Sequence, residues 1–201
     1  MEIFDAASLI PHLDGSCGVT WLDREGEAAT IRSRQFATRQ EAEAFARGMG
    51  LEPGGPEMAL GLMEPEKQEV FAAAKAGDWP RAEEHALCVL RVIPDDGDTH
   101  RLLGVVYLKQ GQLDEAVAEL ETAVRLIPSD GAAQHNLGVA YGLQGRRDDA
   151  IAALTAAAGA GMDSAIGSDL LRVLEAVPER SPLVTELTKS AVRDFLAARR
   201  G

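Results

Sequence analysis

The sequence predicts a mainly α fold: an α-solenoid of three stacked helix pairs with capping helices at its C-terminus and a small α+β unit before it. Three observations predict this. The 201 residues are 46% hydrophobic but only 4% aromatic, and they are rich in Ala, Leu and Glu, which favours many closely packed helices over aromatic-rich strands. A pattern of residue types recurs at a fixed interval in the middle of the chain. The first fifty residues, by contrast, carry short β-prone runs and turn residues.

In the N-terminal part, Val19–Leu22 and Ala28–Ile31 flank the polar turn Asp23-Arg24-Glu25-Gly26, the pattern of a hairpin. Thr38 and Glu41 have the spacing of a capping box, before a helix that ends near Gly48 and Gly50. Residues 1–50 therefore read as a small β-β-α unit. A hairpin with one helix buries too little to stand alone, so docking on the first repeat or on a partner is expected. Residues 51–63 are Gly- and Pro-rich and read as a linker, with Met58, Leu60, Leu62 and Met63 available to pack on the repeats.

The repeat is clearest downstream. Leu103-Gly104 returns 34 residues later as Leu137-Gly138, Tyr107 as Tyr141, Gly111 as Gly145, Ala116 as Ala150, Leu120 as Leu154 and Ala123 as Ala157. Within each unit the apolar residues lie four and three apart, as on amphipathic helices. Gly111 can take the left-handed conformation that ends the first helix, Asp114 offers a capping oxygen to the second, and Pro128 stops it, with Ser129 or Asp130 opening the next turn. One interval upstream, Gly77, Ala82 and Pro94 keep the register while Val70 and Ala73 replace the Gly and Tyr. Three repeats follow, at 63–96, 97–130 and 131–164. Residues 164–201 close the array: Ser168–Ala176 is helical in pattern, Pro178 interrupts, and Ser181-Pro182 opens a helix towards Ala198. Its stripe of Leu183, Leu187, Ala191 and Phe195 is expected to cover the last repeat.

The run His100-x-x-Leu103-Gly104-x-x-Tyr107, then Ala116-x-x-x-Leu120, then Pro128, resembles the tetratricopeptide repeat (TPR). The later copy carries Gln134 in the opening aromatic place and Met162 where the proline would stand. The resemblance covers about residues 63–162 and implies a solenoid whose first helices line a concave surface that holds a segment of another protein. At 100° per residue, Arg101, Val105, Leu108 and Lys109 fall on the face turned away from Leu103 and Tyr107. The same offset selects Lys67, Phe71, Ala74 and Lys75 in the first repeat, and His135, Val139, Gly142 and Leu143 in the last. Lys67, Arg101 and His135 then form a row beside Lys75 and Lys109, around an apolar floor of Phe71, Val105, Leu108 and Val139. That suits a protein or peptide partner with acidic residues flanking apolar anchors, and Asn136 offers one polar contact to its backbone. Some members of the family clamp the terminal carboxylate of chaperones; Phe71 and Leu102 stand where that clamp needs asparagine, so clamp-type binding is not expected here.

Other functions fit less well. A net charge of −12, from 20 basic against 32 acidic residues, repels a phosphate backbone, so no nucleic acid is expected. His12, His85, His100 and His135 lie on separate elements, and Cys17 and Cys88 fit neither a disulfide framework nor a metal motif. With no phosphate loop or HExxH pattern, neither catalysis, cofactor nor metal is expected. The acidic start MEIFDAASLIPHLDGS is unlike a secretory signal and no stretch has the length of a membrane span, so the expected location is cytoplasmic. The expected function is a non-catalytic adaptor or scaffold. Two alternatives stand beside it: an enzymatic or ligand-binding N-terminal unit addressed to a complex by the repeats, and self-assembly of the repeats into a homo-oligomer.

Overall fold

A computed structural model describes residues 6–12, 15–25, 28–55, 57–162, 165–179, 181 and 183–199. The chain divides into two compact units, Met1–Asp96 and Gly97–Gly201. The first holds strands β1 (Ala6–Pro11), β2 (Cys17–Glu25), β3 (Ala28–Phe36) and β4 (Glu52–Gly54), with helices α1 (Arg39–Gly48), α2 (Glu57–Ala76) and α3 (Trp79–Val92). The second holds α4 (Gly97–Gln110), α5 (Leu113–Leu126), α6 (Gly131–Gln144), α7 (Arg147–Gly159), α8 (Ala165–Glu175) and α9 (Val184–Ala197).

The predicted hairpin is present as β2 and β3, which pair antiparallel from Cys17↔Phe36 to Glu25↔Ala28. Both strands run further than the sequence pattern indicated, and the tip at 26–27 lies outside the described residues. β1 adds to β2 antiparallel and β4 to β1 in parallel, giving the order β3-β2-β1-β4. The sheet therefore has two more strands than the β-β-α reading allowed. Both extra strands are poor in strong β-formers: β1, AASLIP, has Ile10 alone and β4, EPG, has none, so their place depends on what they pair with.

Each face of the sheet is covered. Ala7, Leu9, Cys17 and Val19 pack against Ala42 and Ala46 of α1, with Trp21, Phe36 and Phe45 at the margin. The capping box holds the start of α1, because Thr38 Oγ1 accepts from the Glu41 N–H while Glu41 Oε2 accepts from the Thr38 N–H. On the other face Ile10 packs with Met63 of α2, with Val89 and Val92 of α3, and with Ile93. The docking on the first repeat follows from that cluster. Leu62 and Met63 pack as expected; the side chains of Met58 and Leu60 lie outside the described residues. Residues 51–63 are not a linker: they form β4 and the first turns of α2. Pro53 sits in the short edge strand, where a missing N–H is tolerated, and the helix starts just beyond the Gly-Gly-Pro run. Cys17 and Cys88 are both free, and burial raises both thiol pKa values.

In the second unit, α4 with α5 and α6 with α7 are the two clearest repeats. Small residues let their helices approach closely. A Cβ added at Gly104 would lie 2.6 Å from Leu120 Cγ, and one at Gly138 would lie 2.7 Å from Leu154 Cγ. Gly111 and Gly145 end α4 and α6 at φ values of +81° and +83°, where side chains are strained. Asp130 caps α6 by accepting from the Ala132 and Ala133 N–H groups. Asp114 does not cap α5: Gln112 is at that position, and Asp114 instead accepts from Gln144 Nε2 at 2.7 Å. α8 packs on α7, and α9 packs on α6 and α8.

The predicted α9 stripe is met in part: Phe195 packs against the cluster of Ala150, Leu154, Leu170, Leu174 and Val192, but the first two residues of the stripe do not. Leu183 is 62% and Leu187 40% exposed, whereas Thr188 and Val192 are fully buried. Helical spacing showed which residues share a face but not which face meets the repeat. The answer lies across the interface, where a Cβ on Gly142 would be 2.7 Å from Val192 Cγ2 and one on Gly145 2.5 Å from Thr185 Cγ2. Compact β-branched residues fit that close approach. The helix also starts at Val184 instead of at Ser181, whose Oγ accepts from the Leu183 N–H one residue before the helix.

Candidate functional site: a cleft in the second unit

A cleft of about 360 Å³ opens between α4, α6 and α9. α4 supplies Val105, Leu108 and Lys109; α6 supplies His135, Asn136, Val139 and Leu143; α9 supplies Leu196. Six of the ten residues expected in the groove thus line one cavity: Val105, Leu108, Lys109, His135, Asn136 and Val139. The helical offset brings them together because one turn of α4 lies beside the equivalent turn of α6. Each residue carries its equivalent one repeat later: Arg101 and His135, Val105 and Val139, Leu108 and Gly142.

The other four residues have different surroundings. Arg101 Nε lies 2.9 Å from Asp130 Oδ2, and Arg101 Nη2 lies 3.5 Å from Asp98 Oδ1. In the first unit Lys67 Nζ lies 2.6 Å from Asp96 Oδ1. These are one ion pair repeated, since the step from Lys67 to Arg101 is also the step from Asp96 to Asp130. Each base holds the turn that follows its own repeat and is partly neutralised there. Lys75 is exposed, and Phe71 is exposed at 54%.

The charge at the cleft is therefore narrower than a continuous basic row. Burial lowers the pKa of His135 below its ordinary value, so the ring is neutral at pH 7. Lys109 is exposed and has no ion-pair partner among the described residues, which leaves it as the cation at the rim. A second, more polar hollow of about 650 Å³ shares Leu143 with the cleft and is bordered by Lys189 and Arg193 of α9. Lys189 pairs with Glu186 at 3.0 Å, and Arg193 is exposed without an ion-pair partner among the described residues. An apolar floor, a neutral imidazole and a cationic rim can hold a large apolar side chain with a carboxylate nearby.

Sequence reasoning missed α9 as a wall of the cleft. A signal was present in the repeat itself: the positions of Ala74, Leu108 and Gly142 are equivalent. Glycine in the last copy removes the side chain that would otherwise keep Val192 away. A second signal lies in the histidines. His85 Nδ1 is 2.6 Å from Glu66 Oε2, and His100 Nδ1 is 2.5 Å from Glu119 Oε2. Glu66 and His100 are equivalent positions, as are His85 and Glu119, so one inter-helix contact occurs with its partners exchanged. Among the described residues no three His, Cys, Asp or Glu side chains cluster as a metal site would require. No helix among them is long and apolar enough to cross a membrane.

The family model described as TPR repeat matches residues 104–145, a span that contains the second half of α4 and the whole of α5 and α6. No curated protein matches the chain. Among solved structures it is similar to an O-GlcNAc transferase mutant of Thermobaculum terrenum, with a TM-score of 0.57 and 21% identity over 70% of this chain and 26% of that one. It therefore spans about a quarter of that enzyme. MamA 41-end from Desulfovibrio magneticus RS-1 gives a TM-score of 0.55 and 24% identity over 69% and 78% of the two chains. The second TPR domain of human RPAP3, solved with an HSP70 peptide, gives 0.55 and 20% identity over 60% and 98%. At such identities the likeness speaks for the fold. In this chain the helix pairs α4–α5 and α6–α7 recur at a 34-residue interval, each seating the leucine of its second helix on the glycine of its first, and this part of the chain carries TPR repeats.

Proposed function

We propose that the chain is a non-catalytic adaptor that holds an apolar, acid-flanked segment of a partner protein in the cleft between α4, α6 and α9. The observation that carries this is the composition of the cleft. Val105, Leu108, Val139 and Leu196 surround a space of about 360 Å³, with Lys109 at its edge. One helical turn with its side chains occupies roughly 500 Å³, from the pitch and diameter of a helix, so the cleft suits one or two anchoring side chains of an extended segment better than an inserted helix. Lys109 and Arg193 steer a carboxylate towards it. The RPAP3 domain bound to an HSP70 peptide supports peptide holding as a use of this fold. The absence of asparagine at Phe71 and Leu102 argues for an internal segment over a clamped C-terminus. A cytoplasmic location without nucleic acid belongs to the same reading.

Selection of displayed random peptides on the full chain tests it. Peptides with a large apolar residue beside Asp or Glu should be enriched on the wild type and lost on Lys109→Glu or Val105→Glu, with circular dichroism confirming that both variants fold. The pH arm has a definite sign. An apolar anchor buried against neutral His135 disfavours its protonation, so affinity should hold at neutral pH and fall as the pH drops through the His135 pKa, which burial sets below the ordinary histidine value. Enrichment that survives both variants, or affinity that rises on acidification, overturns the proposal.

A further inference from the structure

The hollow of about 650 Å³ continues the cleft, because Leu143 borders both. Along α6 the order is His135, Asn136 and Val139 in the cleft, Leu143 at the join and Gln144 in the hollow, with Arg146 just past the end of the helix. α9 runs the opposite way: a Cβ on Gly142 would meet Val192, whereas one on Gly145 would meet Thr185 and Lys189. It accordingly gives Leu196 to the cleft, then Arg193 and Lys189 to the hollow. The other wall of the hollow is the turn from α4 into α5, residues 111–115, and Gln144 ties the floor to it by donating from Nε2 to Asp114 Oδ1.

Five charged side chains border the hollow, and three of them are engaged. Arg146 Nε lies 2.7 Å from Asp149 Oδ2, and the Arg146 guanidinium carbon lies 4.1 Å from the centre of the Tyr141 ring. Lys189 pairs with Glu186, and Asp114 accepts from Gln144. Arg193 on α9 and Glu115 on α5 are exposed, and neither side chain has an ion-pair or hydrogen-bond partner among the described residues. The two uncommitted charges thus have opposite signs and stand on different walls. A carboxylate drawn to one wall is repelled by the other, so the hollow discriminates where a uniformly basic surface would not.

We infer that the hollow reads the partner segment at the second and third residues beyond its apolar anchor and takes an adjacent acid and base there, the acid against Arg193 and the base against Glu115. The inference rests on the adaptor reading of the cleft and names the sequence that the segment must carry. Spacing sets the positions. At 1.5 Å per residue, α6 rises about 6 Å from Val139 to Leu143 and about 10 Å to the level of Arg146. An extended chain advances about 3.3 Å per residue, so the second and third residues past an anchor at Val139 lie over the hollow. Successive side chains of such a chain point to opposite sides, which is how neighbours reach different walls. Two residues of like charge would set one of them against a wall of its own sign.

The test uses the full chain, isotope-labelled, and capped peptides with one Leu in a Gly-Ser background. The second and third residues from the Leu, on either side of it, are a Glu and a Lys in both orders, Glu-Glu, Lys-Lys or Gln-Gln. Binding is read from saturable amide shifts at Val139 and Leu143. The best mixed peptide should bind roughly threefold or more tightly than Gln-Gln, the scale of two exposed ion pairs, and should add shifts at Glu115 and Arg193. Arg193→Glu makes both walls acidic and should move the preference to Lys-Lys; Glu115→Lys should move it to Glu-Glu, with circular dichroism confirming that both variants fold. Mixed peptides no better than Gln-Gln, a like-charged pair that binds best to the wild type, or a preference that neither variant moves would overturn the inference, and the adaptor reading would survive as long as Gln-Gln still shifts Val139 and Leu143. If no peptide shifts those amides, both fall together. Shifts there that grow with protein concentration alone would place a second copy of the chain in the hollow and overturn the inference as well.

Discussion

Gly104 decides how near α4 and α5 can lie. Its missing side chain leaves room for Leu120, which is fully buried, and the Ala116 carbonyl stands 3.3 Å from where a Cβ would be. A backbone oxygen and a leucine packed on all sides cannot both withdraw. Gly104→Ala should therefore cost about 1–3 kcal/mol through overpacking. Gly159, near the end of α7, has nothing within 4 Å of the place a Cβ would take. There Gly159→Ala should gain up to about 1 kcal/mol, since glycine is the poorer helix former. Urea unfolding of the two variants should shift in opposite directions, and an unchanged midpoint for Gly104→Ala would count against the close packing. The need for glycine at this position was legible in the sequence because it recurs as Gly138. Charge was harder to read. The face of Lys67 and Arg101 could be read from helical spacing, but their neutralisation depends on Asp96 and Asp130, which lie 29 residues further along the chain.

For whole elements, periodicity placed the helices and left their contacts open. α9 shows the difference: a four-residue spacing marked Leu183 and Leu187 as a stripe, yet the packed side is the one carrying Thr188 and Val192. What selects that side is Gly142, on an element more than forty residues earlier, so no local pattern could reveal it. The contact also shapes the cleft, because it is α9 that brings Leu196 to its wall. Gly142→Leu restores the residue that the preceding repeat has in that place. Its side chain would enter the space of Val192, whose Cγ2 is 2.7 Å from the Cβ position, and α9 should be expelled. Hydrogen exchange should then show amides 184–197 losing at least tenfold in protection while those of α4 and α5 keep theirs. Retained protection of α9 would mean that the glycine is not what seats it.

At the scale of the whole molecule, the repeat was legible because it is encoded three times, and the N-terminal sheet was only half legible because two of its strands depend on tertiary partners. β1 has Ile10 as its one β-branched residue and β4 has none, and neither has an aromatic residue to announce a strand. The same tertiary dependence has a consequence for stability. Met63, Val89, Val92 and Ile93 of the first helix pair are buried in one cluster with Ile10 of the sheet. Burying an aliphatic side chain fully contributes roughly 1.5–3 kcal/mol, so exposing even part of that cluster removes several kcal/mol from a fold whose net stability is typically about 5–15 kcal/mol. A chain beginning at Glu57 should therefore keep α2 and α3 only weakly formed. In hydrogen exchange, the amides near Met63 and Val89 should lose protection at a temperature where those of α4–α7 remain protected, and the far-ultraviolet circular dichroism should fall by about the share of those two helices. Full protection at Met63 and Val89 in the shortened chain would show that the pair stands without the sheet, and that the sheet rests on the repeat without supporting it.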